Sequence, residues 1–186
     1  MFRFLMAATL VFSTLLVIGS NVAVAQKHPT AVIAIWDSQR VFRESKGYKS
    51  VSAQISTYVN QLKEIQKREV AAVRKKEDDL RKQIAILSPE ARSQRERKLR
   101  EDVAAAQRRV QERRVALDNS RRQGAAVLEK QILVILKALE KERGINLVFD
   151  RNARTYHGDS LDITAEIIKR LDKAVPSVKV AKPKGF

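Results

Sequence analysis

The sequence predicts a mostly α protein: a long antiparallel helical hairpin, a coiled-coil arm, carried on a small α+β body. Three observations lead there. Between Tyr48 and Arg143 only Pro89 and Gly124 interrupt residues that favour helices. No aromatic residue occurs from Val59 to Val148; charged residues, Gln, Ala and Leu/Ile/Val fill the stretch, as in long helices and coiled coils. Ser88-Pro89-Glu90 lies near its middle. Proline is accepted in the first turn of a helix and rejected from its interior, so two helices are expected with the bend near 87–90. A two-helix arm reaches and holds; it rarely builds an active site.

The chain opens Met1-Phe2-Arg3, runs apolar from Phe4 to Ile18, and reaches Ala23-Val24-Ala25. A basic start, an apolar run and an Ala-x-Ala site predict a signal peptide over residues 1–25, cut before Gln26. About 15 clean apolar residues are short for a membrane span, which needs about 20. The mature chain is therefore expected to be exported. There is no Cys, which removes disulfides, thiol chemistry and Cys-based metal sites. The net charge of +16 implies an anionic partner field. Between Lys46 and Arg143 stand 25 Lys and Arg against 14 Asp and Glu, so most of the excess lies on the arm.

The body is assigned to residues 26–46 and 144–175. Ala31–Trp36 is short, apolar and β-branched, as a buried strand is. Asp37 or Ser38 can cap a short helical turn carrying Val41 and Phe42.

The arm is assigned to residues 47–143. Val51, Ile55, Tyr58, Leu62 and Ile65 are spaced 4, 3, 4, 3, a heptad seam. Beyond Ile65 the apolar residues fall at Val73, Leu80, Ile84 and Leu87, closer to an eleven-residue spacing and a straighter coil. The seam is thin there, so the outer arm is expected to be the weaker half. In the second helix Leu99, Val103, Ala106, Val110, Leu117, Leu128, Ile132, Ile135 and Leu139 track one stripe, interrupted by Arg114 and Arg121. Gly124, inside this helix, reads as a pivot or as a tolerated glycine costing roughly 1 kcal/mol. From Val127 to Leu139 the helix is apolar on most sides, and a helix apolar all round is expected to be buried all round. Arms of about 40 to 50 residues span roughly 60 to 75 Å.

Arg143-Gly144 reads as a helix end. Ile145–Asp150 is a second strand, Ala153–His157 a candidate third, and Gly158-Asp159-Ser160 a turn. Asp162-Ile163-Thr164-Ala165-Glu166 opens a last amphipathic helix with Ile163, Ile167, Ile168 and Leu171 inward. Residues 176–186 are expected to be a flexible basic tail. A body of roughly 60 residues is small for a core, and two or three short strands leave open edges. Association of several copies through the body is the expected remedy, with Ile33, Ile35, Trp36, Leu147, Phe149, Ile163 and Ile167 as its core.

The strand Ile33-Ala34-Ile35-Trp36-Asp37 with Gln39-Arg40-Val41-Phe42, the long basic hairpin, Ile145-Asn146-Leu147-Val148-Phe149-Asp150 and Asp162-Ile163-Thr164-Ala165-Glu166-Ile167-Ile168-Lys169-Arg170-Leu171 together resemble the Skp (OmpH-like) periplasmic chaperones of Gram-negative bacteria. The resemblance covers the mature chain to about Lys173 and is most specific in the second strand and the last helix. It implies a homotrimer with a barrel-like body that trimerises through its strands, three helical tentacles around a cavity, and a periplasmic, ATP-independent holdase for unfolded outer-membrane proteins in transit. It also implies contact with anionic lipid or lipopolysaccharide.

A holdase must expose apolar surface and stay soluble. Val51, Ile55, Leu62, Val73, Leu99, Val103 and Val110 are the candidate client-facing residues, although each also suits the seam within the hairpin. Arg95, Arg97, Lys98, Arg100, Arg108, Arg109, Arg113 and Arg114 are the candidate contacts to anionic surfaces. An enzyme is not expected. The mature chain carries only His28 and His157, no glycine-rich phosphate loop and no metal-spaced ligands, so no cofactor is expected either. Asp150 and Asp159 flank a turn but make a poor catalytic pair. The same arginines could neutralise phosphates, yet the arms lack aromatics for stacking and the leader directs the chain away from nucleic acid. The alternative reading is a basic structural coiled-coil adaptor of the cell envelope, which would show a continuous seam and fixed partners.

Overall fold

Ser88 and Pro89 stand at the break between the long helices. The protein is described here from a computed structural model, over residues 30–151 and 158–186. The expected signal peptide, its cleavage site and the third strand at Ala153–His157 lie outside these residues. The elements are β1 (Ile33–Trp36), α1 (Ser38–Glu44), α2 (Lys46–Gln83), α3 (Pro89–Arg143), β2 (Leu147–Asp150), a 3-10 turn (Asp159–Leu161) and α4 (Thr164–Ala174).

The Ser88 hydroxyl accepts from the Ala91 N–H at 3.2 Å, and Pro89 takes the first helical position, where its missing donor costs nothing. α3 ends at Gly144, whose φ of 68° closes the last turn with an N–H to the Glu140 carbonyl at 2.8 Å. With 38 residues in α2 and 55 in α3, the helices span roughly 57 and 80 Å at 1.5 Å per residue. Residues equidistant from the bend meet: Lys76 with Asp102, and Glu69 with Arg109. The two helices therefore pack antiparallel.

At the base, β1 and β2 pair in parallel, from Ile33 with Leu147 to Trp36 with Asp150. The Ile163 N–H extends this edge by donating to the Ile35 carbonyl at 2.8 Å. Polar side chains close the junctions. Asp37 caps α1 by accepting from the Arg40 N–H at 2.7 Å, while its own N–H donates to the Thr164 hydroxyl at 2.8 Å. Asp150 accepts from both the N–H and the hydroxyl of Ser38, at 3.0 and 2.5 Å. That makes Asp150 a junction cap. Val41, Leu128, Leu139, Ile167 and Leu171 form the innermost core where α1, α3 and α4 meet. As expected, Ile163 at the start of α4 and Ile167 and Leu171 within it turn inward, with Ile168 half-buried.

Two expectations are corrected. The base of α3 is apolar all round but not buried all round. Leu128, Ile132, Ile135 and Leu139 face the core, whereas Val127, Leu133 and Val134 are about half exposed within one chain. A single α4 is too narrow to cover both sides of the helix. The segment 176–186 is not loose. Val178 and Val180 are buried, Pro183 is covered, and Phe186 packs edge-on to Tyr58 with ring centroids 5.7 Å apart. The spacing of the two valines gives an extended segment one apolar face, and that face lies on the helix pair. Gly124 makes room: a Cβ there would sit 3.3 Å from a Val51 methyl and 3.4 Å from a Val180 methyl. Gly124 is therefore a packing notch.

Candidate functional site

Near the base the gap between α2 and α3 is filled by Val51, Ile55 and Leu62 on one side and Leu117 and Leu128 on the other, all buried. Farther out the facing residues shrink to valine and alanine, and the gap is no longer filled. The result is an open cleft of about 720 Å³ with Val70, Val73, Val103, Ala106 and Val110 along it. Gln66, Glu69, Arg74 and Glu77 on α2 and Gln107, Gln111 and Arg114 on α3 complete its lining. A smaller cleft of about 260 Å³ lies nearer the bend, lined by Leu80 and Leu99 among Lys76, Asp79, Gln83, Arg95, Lys98 and Asp102.

Ion pairs bridge the two helices along the clefts. Arg109 grips Glu69 through two hydrogen bonds of 2.9 and 2.6 Å, and Lys76 meets Asp102 at 2.6 Å. The Arg109 hydrogen bond holds the Glu69 carboxyl below its ordinary range, and Lys76 does the same for Asp102. Each pair lies at the surface and is individually worth little. Apolar residues between charged rims can take up apolar side chains.

The expected site residues divide three ways. Val73, Val103 and Val110 line the large cleft and Leu99 the small one. Val51, Ile55 and Leu62 are buried in the seam, a correction that follows from the larger partners opposite them. Arg95 and Lys98 border the small cleft and Arg114 the large one, while Arg97, Arg100 and Arg108 are exposed. Arg109 and Arg113 are already engaged: Arg109 holds Glu69, and Arg113 donates to the Gly185 carbonyl at 3.0 Å. Near the bend Ile86 is 84% exposed.

At the base, Ile33, Leu147 and Phe149 are exposed, Phe149 by 51%, and Trp36 is half-buried. Ile35, Ile163 and Ile167 are instead interior to the single chain, because α4 and the strand edge enclose them. The exposed strand residues, with Val127, Leu133 and Val134 of α3, leave apolar surface that one chain does not cover.

Sequence reasoning missed Val70, Ala106, Gln66 and Glu69 as cleft residues. The signal was present: the bend position fixes which residues stand opposite, and the apolar residues are all Val or Ala over 70–73 on one helix and 103–110 on the other. Among the described residues no cluster of metal-ligating side chains occurs, and no helix is long and apolar enough to cross a membrane.

A family model described as outer membrane protein (OmpH-like) matches residues 32–171. Among solved structures, the chain is similar to a candidate outer membrane chaperone (OmpH-like) from Caulobacter crescentus CB15, with a TM-score of 0.70 and 18% identity, over 84% of this chain and 93% of that one. At that identity the likeness is one of fold. No curated protein matches the chain.

Proposed function

The chain belongs to the OmpH-like family of outer membrane proteins, and from that premise we propose that it is a periplasmic chaperone, an ATP-independent holdase that keeps unfolded outer-membrane proteins soluble in transit. The observation that carries this reading is the unfilled cleft between α2 and α3, lined by the half-buried Val73, Val103 and Val110 with Val70 exposed beside them. An adaptor or spacer would be expected to close that seam with larger side chains, as the base of the same helix pair does. Family membership and the named chaperone of like fold support the same assignment. Binding of this kind needs no catalytic group and no cofactor.

The working form in this reading is a homotrimer. Ile33, Leu147, Phe149, Leu133 and Val134 would be covered by neighbouring copies, since apolar surface of this extent at one end of a chain marks an interface. Three arms then project from one hub and enclose a client. The surplus of Lys and Arg on the arms draws acidic clients and anionic membrane or lipopolysaccharide from a distance, more weakly as salt rises.

Sedimentation combined with light scattering tests both halves. The expected result is a trimer that suppresses aggregation of an outer-membrane protein diluted from urea, without ATP, at about one assembly per client. A chain that sediments as a monomer and leaves the scattering unchanged overturns the proposal.

A further inference from the structure

The segment after α4 lies along the same helix pair that leads to the cleft. Val175 touches the start of α2, where its carbonyl lies 2.8 Å from the position of a Cβ on Gly47. Val178 and Val180 are buried, and Lys179 between them is exposed. Phe186 stacks edge-on against Tyr58. The segment thus climbs α2 from Gly47 to Tyr58 and stops beside Arg113. Arg113 holds the Gly185 carbonyl and lies 3.9 Å from Glu69, a residue of the large cleft.

The polar contact is made through the backbone of the segment. The Gln54 side chain donates from Nε2 to the Val178 carbonyl at 2.7 Å and accepts at Oε1 from the Val180 N–H at 3.0 Å. One carboxamide thereby satisfies the carbonyl of one residue and the N–H of the residue two places on, as a neighbouring strand in a parallel ladder does. The Ser50 hydroxyl adds a longer contact of 3.4 Å to the same carbonyl. Backbone recognition is blind to sequence, and the side chains are selected only by apolar character at alternate positions, the arrangement by which extended peptides are bound in general. The notch at Gly124 receives the second valine.

We infer that Ser50, Gln54, Tyr58, Gly124 and Arg113 form a binding site for an extended peptide with apolar residues two apart, that segment 176–186 is its resident occupant, and that client segments must displace it. The inference deepens the holdase reading and rests on it for the nature of the client. The strands of an outer-membrane barrel alternate apolar and polar residues, so the unfolded chain of such a protein offers this pattern repeatedly. Displacing the resident segment joins its track to the large cleft. The combined surface runs from Gly47 to Glu77 on α2, roughly 45 Å at 1.5 Å per residue. A tethered occupant competes at an effective concentration near the millimolar range, so only clients with several such segments outcompete it.

The probe is a fluorescein-labelled peptide of residues 175–186, followed by anisotropy. A chain lacking residues 177–186, checked for unchanged helix content, is expected to bind it saturably and at least about tenfold more tightly than the intact chain, whose site is filled. Gln54→Ala in the shortened chain is expected to abolish that gain. If the shortened chain fails to fold, the full-length double variant Val178→Asp, Val180→Asp releases the segment and takes its place. Peptide binding equal in released and intact chains overturns the site. Titration with a urea-unfolded outer-membrane protein is the second arm. Severalfold tighter client binding after release supports displacement, and unchanged binding overturns it. If neither chain holds the unfolded protein while the peptide still distinguishes them, the holdase reading fails and the peptide site stands.

Discussion

The backbone of Gly47 lies directly against the side chain of Leu128: a Cβ on Gly47 would fall 2.5 Å from a Leu128 methyl and 2.8 Å from the Val175 carbonyl. Three segments distant in sequence meet here, at the root of α2. The methyl can turn aside, but the carbonyl belongs to backbone held by its own N–H to Leu171. Gly47→Ala is therefore expected to destabilise the chain by about 1–3 kcal/mol through overpacking. Urea unfolding of the two chains measures it, and an unchanged midpoint contradicts the geometry.

α2 has a cap supplied by a residue far along the chain. Ser45 makes no side-chain cap, and the Lys46 N–H instead donates to the Asp172 carboxylate at 2.7 Å. A negative charge at a helix N-terminus also meets the positive end of its dipole. Asp172→Ala is expected to cost about 1 kcal/mol, and Asp172→Asn, which keeps an acceptor oxygen, appreciably less. Thermal melts of the pair give the comparison. Equal losses in both variants would assign the effect to something other than the cap.

Acid should loosen the junction of α3 and α4. Arg170 donates to Glu142 at 2.8 and 2.6 Å and to Glu166 at 2.7 Å, and these bonds hold both carboxyls below their ordinary range and push the guanidinium pKa upward. A carboxylate depressed on folding adds stability above its unfolded pKa of about 4.3 and loses it as pH falls through the lower folded value. The intact chain is therefore expected to lose more stability between pH 7 and pH 3 than Arg170→Met does. Denaturation midpoints at the two pH values decide it; parallel losses rule the junction out as the source.

The cleft residues should matter for holding and not for folding. Val103→Asp or Val110→Asp places a charge where an apolar client side chain would rest. Burying one valine is worth about 1.5–3 kcal/mol, so apparent affinity for a urea-unfolded outer-membrane protein should fall roughly tenfold or more. Helix content and subunit count should not change. Full retention of aggregation suppression would remove the cleft from the mechanism.

The helices, their bend and the inward face of α4 were legible in the sequence because each rests on local chemistry. Ser88-Pro89 suits the start of a helix and not its interior, Gly144 can readily close one, and Ile163, Ile167 and Leu171 repeat at helical spacing. Which stripe residues stay open was not legible. Val51 and Val103 look alike in the sequence, but one meets Gly124 and Val180 and the other faces an unfilled gap. The same holds for segment 176–186, whose lysines and prolines suggested a loose tail. Its burial depends on Gln54, more than a hundred residues earlier, offering a donor and an acceptor at the right separation. Spacing along one chain determines which face of an element is apolar. What covers that face is a matter of distance between elements, and only the packed structure decides it.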